Sequence, residues 1–211
     1  LSAAISVTKV VNGTSEANIG VPNGNLAVTI GGVANVVVVS TDTLFGNILS
    51  CQSISKTGTN AVGNIGSSSN YFNRLFATAT TALYADVAER FAADEVLAPG
   101  TVVELGGVAE ITKSRVDLSE NVFGVISTKP AYTMNGGAGE DDTHPPVAMT
   151  GRVPVKVVGR IAKGDRLVSA GDGLARAALP GEATAFNVIG RSLDDKPTPE
   201  EGTIEAIVTI K

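Results

Sequence analysis

The chain has 211 residues, 43% of them hydrophobic, and carries 16 Lys and Arg against 21 Asp and Glu, a net charge of −5. This size and hydrophobic share are enough to bury a core, while an acidic balance without any basic block excludes the usual electrostatic footprint of a nucleic-acid-binding protein. One Cys and one His exclude a disulfide framework and a Cys/His zinc cluster, and no apolar run reaches the roughly 18 residues of a membrane span, so we expect no cofactor, no metal and no membrane insertion.

The first 80 residues are poor in charge and rich in Gly, Ser, Thr, Asn, Val and Ile. Strand alternation from Leu26 to Ile30, a Gly-Gly pair and the apolar run 33–39 together predict a β-hairpin. The phrase Asn-Ile-Gly at 18–20 returns at 64–66. Short repeated units that cannot cover their own apolar face bury it against the next repeat or another copy. We therefore predict a repetitive β shaft over residues 1–80.

Residues 81–93 allow two interpretations. Leu83, Val87 and Phe91 recur at a spacing of four, which favours a short helix, and the alternative is a strand. This stretch holds the carboxylate pair Asp86 and Glu89 at the junction between the two halves of the chain. On a helix the two carboxylates would share a face, whereas residues three apart on a strand point to opposite sides.

From residue 97 onward the chain reads as strands separated by Gly and Pro turns. The clearest runs are 101–105, 122–126 and 152–158, and the run 204–210 has the pattern of a closing strand. Turns at this density predict a compact barrel or sandwich. The predicted fold class is all-β, with a repetitive shaft followed by a compact β domain over residues 81–211.

Few residues offer enzyme chemistry. His144, on a Pro-flanked loop, is the one histidine that could serve a nucleophilic triad, and we do not expect it to do so. The acidic loop 136–144 could offer oxygen ligands to calcium, but it lacks EF-hand spacing, and a solvated surface loop is favoured. Cys51 is interpreted as a small strand residue, because no basic neighbour would stabilise a thiolate.

Two stretches carry a resemblance to a known family. Residues 64–77 contain a Gly-Ser-Ser turn, an Asn, an aromatic pair and an apolar-aromatic-Ala ending, and they resemble a segment of tailed-phage fibre and appendage proteins. Residues 85–91 resemble the opening of the intramolecular-chaperone autocleavage domain of phage neck-appendage and tail-fibre proteins, whose signature is Ser-Asp-x-x-Glu. Residues 122–131 and 151–157 are similar to the body of that domain.

The resemblance implies a homotrimer whose terminal domain assists assembly and, in some members, cuts itself away before the Asp. Carried over, it places the bond at Ala85–Asp86 and the catalytic carboxylates at Asp86 and Glu89, while Ala85 stands where self-cutting members have Ser. We therefore expect a structural protein of a phage virion, a tail fibre or appendage, with sister copies, other virion proteins and a host receptor as partners. Two alternatives remain, a domain that cleaves itself once and a capsid-decoration module.

Overall fold

The computed structural model describes residues 9–19, 26–29, 53–54, 59–60, 62–67, 69–77 and 81–209. All the regular elements in these ranges are strands, which confirms the all-β prediction. They are β1 (Lys9–Asn12), β2 (Ser15–Ile19), β3 (Leu26–Thr29), β4 (Asp86–Arg90), β5 (Val102–Leu105), β6 (Ile111–Lys113), β7 (Val122–Ile126), β8 (Tyr132–Met134), β9 (Pro146–Val157), β10 (Arg166–Gly171), β11 (Leu174–Ala177), β12 (Val188–Ser192) and β13 (Gly202–Val208). The predicted hairpin arm at 33–39 and Cys51 lie outside the described residues.

The first compact unit, Leu1–Gly63, contains a three-stranded antiparallel sheet in the order β1-β2-β3. A two-residue turn joins β1 to β2, and it includes Gly13 at a φ of 61°, a conformation that costs glycine little. Val10 and Val11 are both exposed. Because consecutive residues of a strand point to opposite faces, both faces of β1 are open to solvent in a single chain.

The second unit, Asn64–Lys211, holds the other ten strands in one sheet. Five of these strands close on themselves. β9 pairs with β13, followed in order by β12, β10 and β11, and β11 returns to β9 where Ala175 pairs with Val157. This closed barrel confirms the barrel alternative of the predicted domain, and closure pairs the edges that an open five-stranded sheet would leave exposed.

The long strand β9 belongs to two parts of the unit. Its second half pairs with β13 in the barrel, and its first half lies between β4 and β7. Val153, Val155 and Val157 are buried and the residues between them face outward, which is the two-residue period of a strand. Gly151, at a φ of 110°, stands between the two halves.

Two apolar clusters make up the core of this unit. The first fills the barrel with aliphatic side chains from all five of its strands and from β5 and β7, and it includes Leu167 and Ile204. The second lies under β5, β6 and β7, where Phe91 packs edge-on against Phe123 with ring centroids 5.0 Å apart. These two clusters give residues 81–209 a core of their own.

Candidate functional site

The junction stretch enters the sheet as a strand. Residues 81–85 are exposed, and β4 then runs parallel to β8 and antiparallel to β9. The helical alternative for residues 81–93 is wrong, because β4 pairs its backbone with two neighbouring strands. Tertiary pairing of this kind overrides a weak four-residue spacing of apolar side chains.

The strand conformation separates the two predicted site carboxylates. Asp86, the first residue of β4, is buried with 4% of its surface exposed. Glu89 is half-buried three residues later, where it pairs with Val147 of β9 and Met134 of β8. Residues three apart on a strand point to opposite sides, and Glu89 does not line the groove that contains Asp86.

That groove has a volume of about 310 Å³ and lies where residues 83–85 meet the outer wall of the barrel. Its walls combine apolar, hydroxyl and charged side chains from four places in the sequence: Leu83, Tyr84, Asp86, Ser127, Arg152 and Glu205. We call it the junction groove. The bond between Ala85 and Asp86 therefore lies beside a cleft that water can enter.

Backbone contacts hold this bond on both sides. The Arg152 N–H donates to the Ala85 carbonyl at 3.3 Å, and the Ala131 N–H donates to the Asp86 carbonyl at 2.8 Å. Gly151 makes the approach possible, because a Cβ at that position would lie 2.2 Å from the Ala85 oxygen and 2.8 Å from the Asp86 Cα. The Ala85–Asp86 backbone is thus held in place by strand pairing with residues 151 and 152 and by the Ala131 amide.

The Asp86 carboxyl group is electrostatically unusual. Burial raises its pKa above the usual 3.8, while the Ser127 hydroxyl and the Asp86 backbone amide offset part of that effect. Within the described ranges, Asp86 Oδ2 and Ser127 Oγ are buried without a hydrogen bond of good geometry. A buried carboxyl with these surroundings keeps its proton to a higher pH and can act as a proton donor.

We expect Gly151→Ala to destabilise the unit by about 3 kcal/mol, since it adds a clash with the Ala85–Asp86 backbone to the strain of a left-handed φ. Gly159→Ala is the matched control. Gly159 has a φ of +84° but nothing within 4 Å of its missing Cβ, so we expect a loss of only about 1 kcal/mol. Thermal unfolding followed by circular dichroism measures both, and equal losses would contradict the close approach.

We expect the pH dependence of stability to change in Asp86→Asn. Because the folded-state pKa of Asp86 is raised, the stability it contributes is fully present below 3.8 and is lost as pH rises through the folded-state pKa. The Asn variant has no ionisable group at this position, so its stability does not show this decrease with rising pH. Melting temperatures of the two proteins should therefore converge at low pH, and the wild type should fall relative to the variant as pH increases. A constant difference between them would show that the Asp86 carboxyl does not titrate abnormally.

Other predicted candidates have ordinary structural roles. Asp141, in the acidic loop, pairs with Arg90 at 2.7 Å, and the same guanidinium donates to the His144 carbonyl at 2.7 Å. The His144 ring contacts the Thr143 hydroxyl at 3.1 Å. Across the described ranges, no three His, Cys, Asp or Glu side chains form a group suited to a metal ion. None of the described residues forms a helix long and apolar enough to cross a bilayer.

Sequence reasoning missed three side chains of the junction groove. Ser127 follows β7, Arg152 lies on the outward face of β9, and Glu205 lies in the predicted closing strand, at a position between inward residues. The alternation of β9 and β13 indicates that Arg152 and Glu205 face outward. Only the pairing of distant strands brings them to the bond before Asp86.

No protein-family model and no curated protein sequence matches this chain. Solved structures do match it. It is similar to the pre-mature gene product 12 of bacteriophage phi29, with a TM-score of 0.46 and 18% identity over 65% of this chain and 23% of that protein. It is also similar to the C-terminal fragment of phi29 gene product 12, with a TM-score of 0.42 and 19% identity over 60% of this chain and all of the fragment.

Proposed function

We propose that this chain is a structural protein of a phage virion, a tail fibre or appendage, that assembles as a homotrimer. The observation that carries the proposal is the aromatic segment, residues 69–77, which has no regular structure and holds its large apolar side chains in solvent. Those side chains are Tyr71, Phe72, Leu75 and Phe76.

Exposure of this kind is costly for a single chain. Burying one such side chain is worth about 2 kcal/mol, and contiguous exposed apolar patches in soluble proteins mark interaction surfaces. The segment is also part of the stretch, residues 64–77, that resembles the end of a phage-fibre shaft. Sister copies are the partner that the proposal assigns to it, because a closed symmetric assembly covers the same patch on every chain.

The compact unit supplies what an assembly domain needs. Its barrel and second cluster give it a core of its own, whereas β1 of the first unit leaves both of its faces open. A domain that folds on its own can hold three chains together and raise their local concentration, so that slow pairing between chains follows. This is a chaperone role without repeated turnover.

Sedimentation equilibrium of the full chain tests the proposal. The expected mass is three times the 21.4 kDa of one chain, and the fraction assembled should fall on dilution. A monomer at every concentration would overturn the trimer.

Labelled antibodies on intact particles should bind at the tail or neck, and labelling of the capsid lattice would select the decoration alternative. Purified protein should compete with particles for adsorption to host cells if the chain also contributes to attachment.

A second function, a single self-cleavage between Ala85 and Asp86, is favoured by the fixed carbonyl and the buried carboxyl at that bond. Ala85 lacks the hydroxyl that self-cutting members carry, so the cleavage here relies on other groups. Mass spectrometry of the incubated protein should show fragments 1–85 and 86–211, which Asp86→Ala abolishes. An intact mass throughout would dismiss this function and leave the trimer proposal standing.

A further inference from the structure

Strand register places three arginines side by side on the outer surface of the barrel. Arg166 of β10 pairs directly with Arg191 of β12. Ile207 of β13 continues the line, because it pairs with Arg191 on one side and with Arg152 of β9 on the other. All four side chains are exposed. Neighbouring strands lie about 4.8 Å apart, so the line is about 15 Å long. We call Arg152, Arg166 and Arg191 the arginine row.

The charge of the arginine row is not neutralised locally. No ion pair joins any of its three guanidinium groups to a carboxylate among the described residues. Glu205, two residues before Ile207 on β13, lies diagonal to the row without pairing with it, and the Asp165 carboxylate accepts a backbone N–H of its own turn. Like charges directly opposite each other on neighbouring strands destabilise a sheet. The pairing of Arg166 with Arg191 therefore favours an anionic partner from outside the single chain.

The acidic loop 136–144 has the complementary charge. Glu140, Asp141 and Asp142 follow one another in it, and all three are exposed. Asp141 is engaged by Arg90 at 2.7 Å. Glu140 and Asp142 form no ion pair with any residue that the structure describes, so two carboxylates are available to a partner.

The loop and the row lie too far apart to meet within one chain. The loop ends where β9 begins, at Pro146, and Arg152 is six residues further along that strand. At about 3.3 Å per residue this separation is about 20 Å, and Arg191 and Arg166 lie on strands still further from the loop. An arginine and a carboxylate side chain together do not span that distance. The two surfaces can therefore neutralise each other only between chains.

We propose that the arginine row of one copy binds Glu140 and Asp142 of the next copy around the axis of the trimer. This inference rests on the proposed homotrimer. A ring of three identical chains is closed by heterologous contacts, in which each chain presents one surface to one neighbour and a different surface to the other. Two separate patches of opposite charge on one chain meet that requirement.

The chemistry of the row suits carboxylates. Each guanidinium group is planar, keeps its charge at any pH at which the protein is folded, and donates two parallel N–H bonds to a carboxylate. Ile207, with 49% of its surface exposed, adds an apolar contact in the middle of the row. A symmetric dimer that joined the row to itself would instead bring like charges together, so the same patches disfavour pairing of two rows.

Charge reversal in the full chain, followed by sedimentation equilibrium, tests the contact. Arg166→Glu with Arg191→Glu should raise the concentration at which half the protein is assembled by at least about 100-fold, because like charges then face each other across the interface. Glu140→Arg with Asp142→Arg should have the same effect from the other side. The variant with all four changes keeps the net charge of −5, and its assembly should return to within about threefold of the wild type.

The matched control is Arg160→Glu with Lys163→Glu. It makes the same change of charge at two exposed cations between β9 and β10, outside the arginine row, and its assembly should stay within about threefold of the wild type. Arg166→Gln with Arg191→Gln removes the two charges without reversing them and should weaken assembly by a smaller factor than the glutamate variant. Thermal unfolding of every variant separates lost assembly from lost folding.

Recovery of the trimer in the fourfold variant, after its loss in both double variants, would support the contact. Wild-type assembly of the folded Arg166/Arg191 glutamate variant would overturn the role of the arginine row while the trimer stands. Loss of assembly in both double variants without recovery in the fourfold variant would overturn the acidic loop as the partner. A wild type that is monomeric at every concentration would overturn the homotrimer and this contact with it.

Discussion

Replacing Leu75 and Phe76 together by serine is expected to dissociate the proposed trimer. In the single chain 85% of Leu75 and 88% of Phe76 is exposed to solvent, so assembly can bury nearly the whole of each side chain. Burial of each side chain contributes about 2 kcal/mol, so the double variant loses about 4 kcal/mol of assembly free energy per chain. The concentration at which half the protein is assembled should rise by at least about 100-fold. Sedimentation equilibrium over a dilution series measures this shift.

The matched control is Val96→Ser with Val108→Ser. Both valines are exposed apolar residues of the second unit outside the aromatic segment, so the control makes two apolar-to-serine changes in exposed positions. We expect its assembly to equal that of the wild type. Dissociation of the control with intact assembly of the Leu75/Phe76 variant would place the contact between copies elsewhere and contradict the proposed role of the segment.

A second large effect is expected from Lys196→Met, because this lysine is a buried cation that organises the end of the barrel. It lies between β12 and β13 with 8% of its surface exposed. Its Nζ donates to the backbone carbonyls of Gly159 at 2.9 Å and Thr198 at 2.8 Å, and also to that of Glu200. Three carbonyls from two separate loops therefore share one ammonium group, whose three N–H donors match them.

Methionine keeps the length and apolar stem of the side chain but offers no donor. The variant leaves three carbonyls without their partner, and we expect a loss of about 3 kcal/mol. For a chain of this size that loss lowers the melting temperature by about 6–12 °C. The control, Lys163→Met, removes the charge of an exposed lysine nearby and should change stability by less than about 0.5 kcal/mol. Equal melting temperatures for the two variants would show that the carbonyls are satisfied without the ammonium group.

At the candidate site, the sequence predicted one of the residues that line the groove, and the structure supplied the others. The position of Asp86 at the junction follows from the sequence and the resemblance, and the structure gives that residue its burial and its groove. Glu89 was named with it because the two are three residues apart in the motif. The structure places β4 between two strands, and this conformation directs Glu89 away from the groove. Glu205, 119 positions further along the chain than Asp86, lines the groove instead.

Strand-like runs separated by Gly and Pro turns predicted the all-β class and located β5, β7, the barrel half of β9 and β13, because both signals are local to the sequence. The structure shows Val153, Val155 and Val157 of the predicted run 152–158 facing the core. A local pattern carries no information about which strands become neighbours. The tertiary structure decided that β11 returns to β9, that Gly151 lets the Ala85–Asp86 backbone approach, and that Arg152 and Glu205 form one wall. Each of these depends on backbone pairing between distant parts of the chain, which is fixed only when the barrel closes.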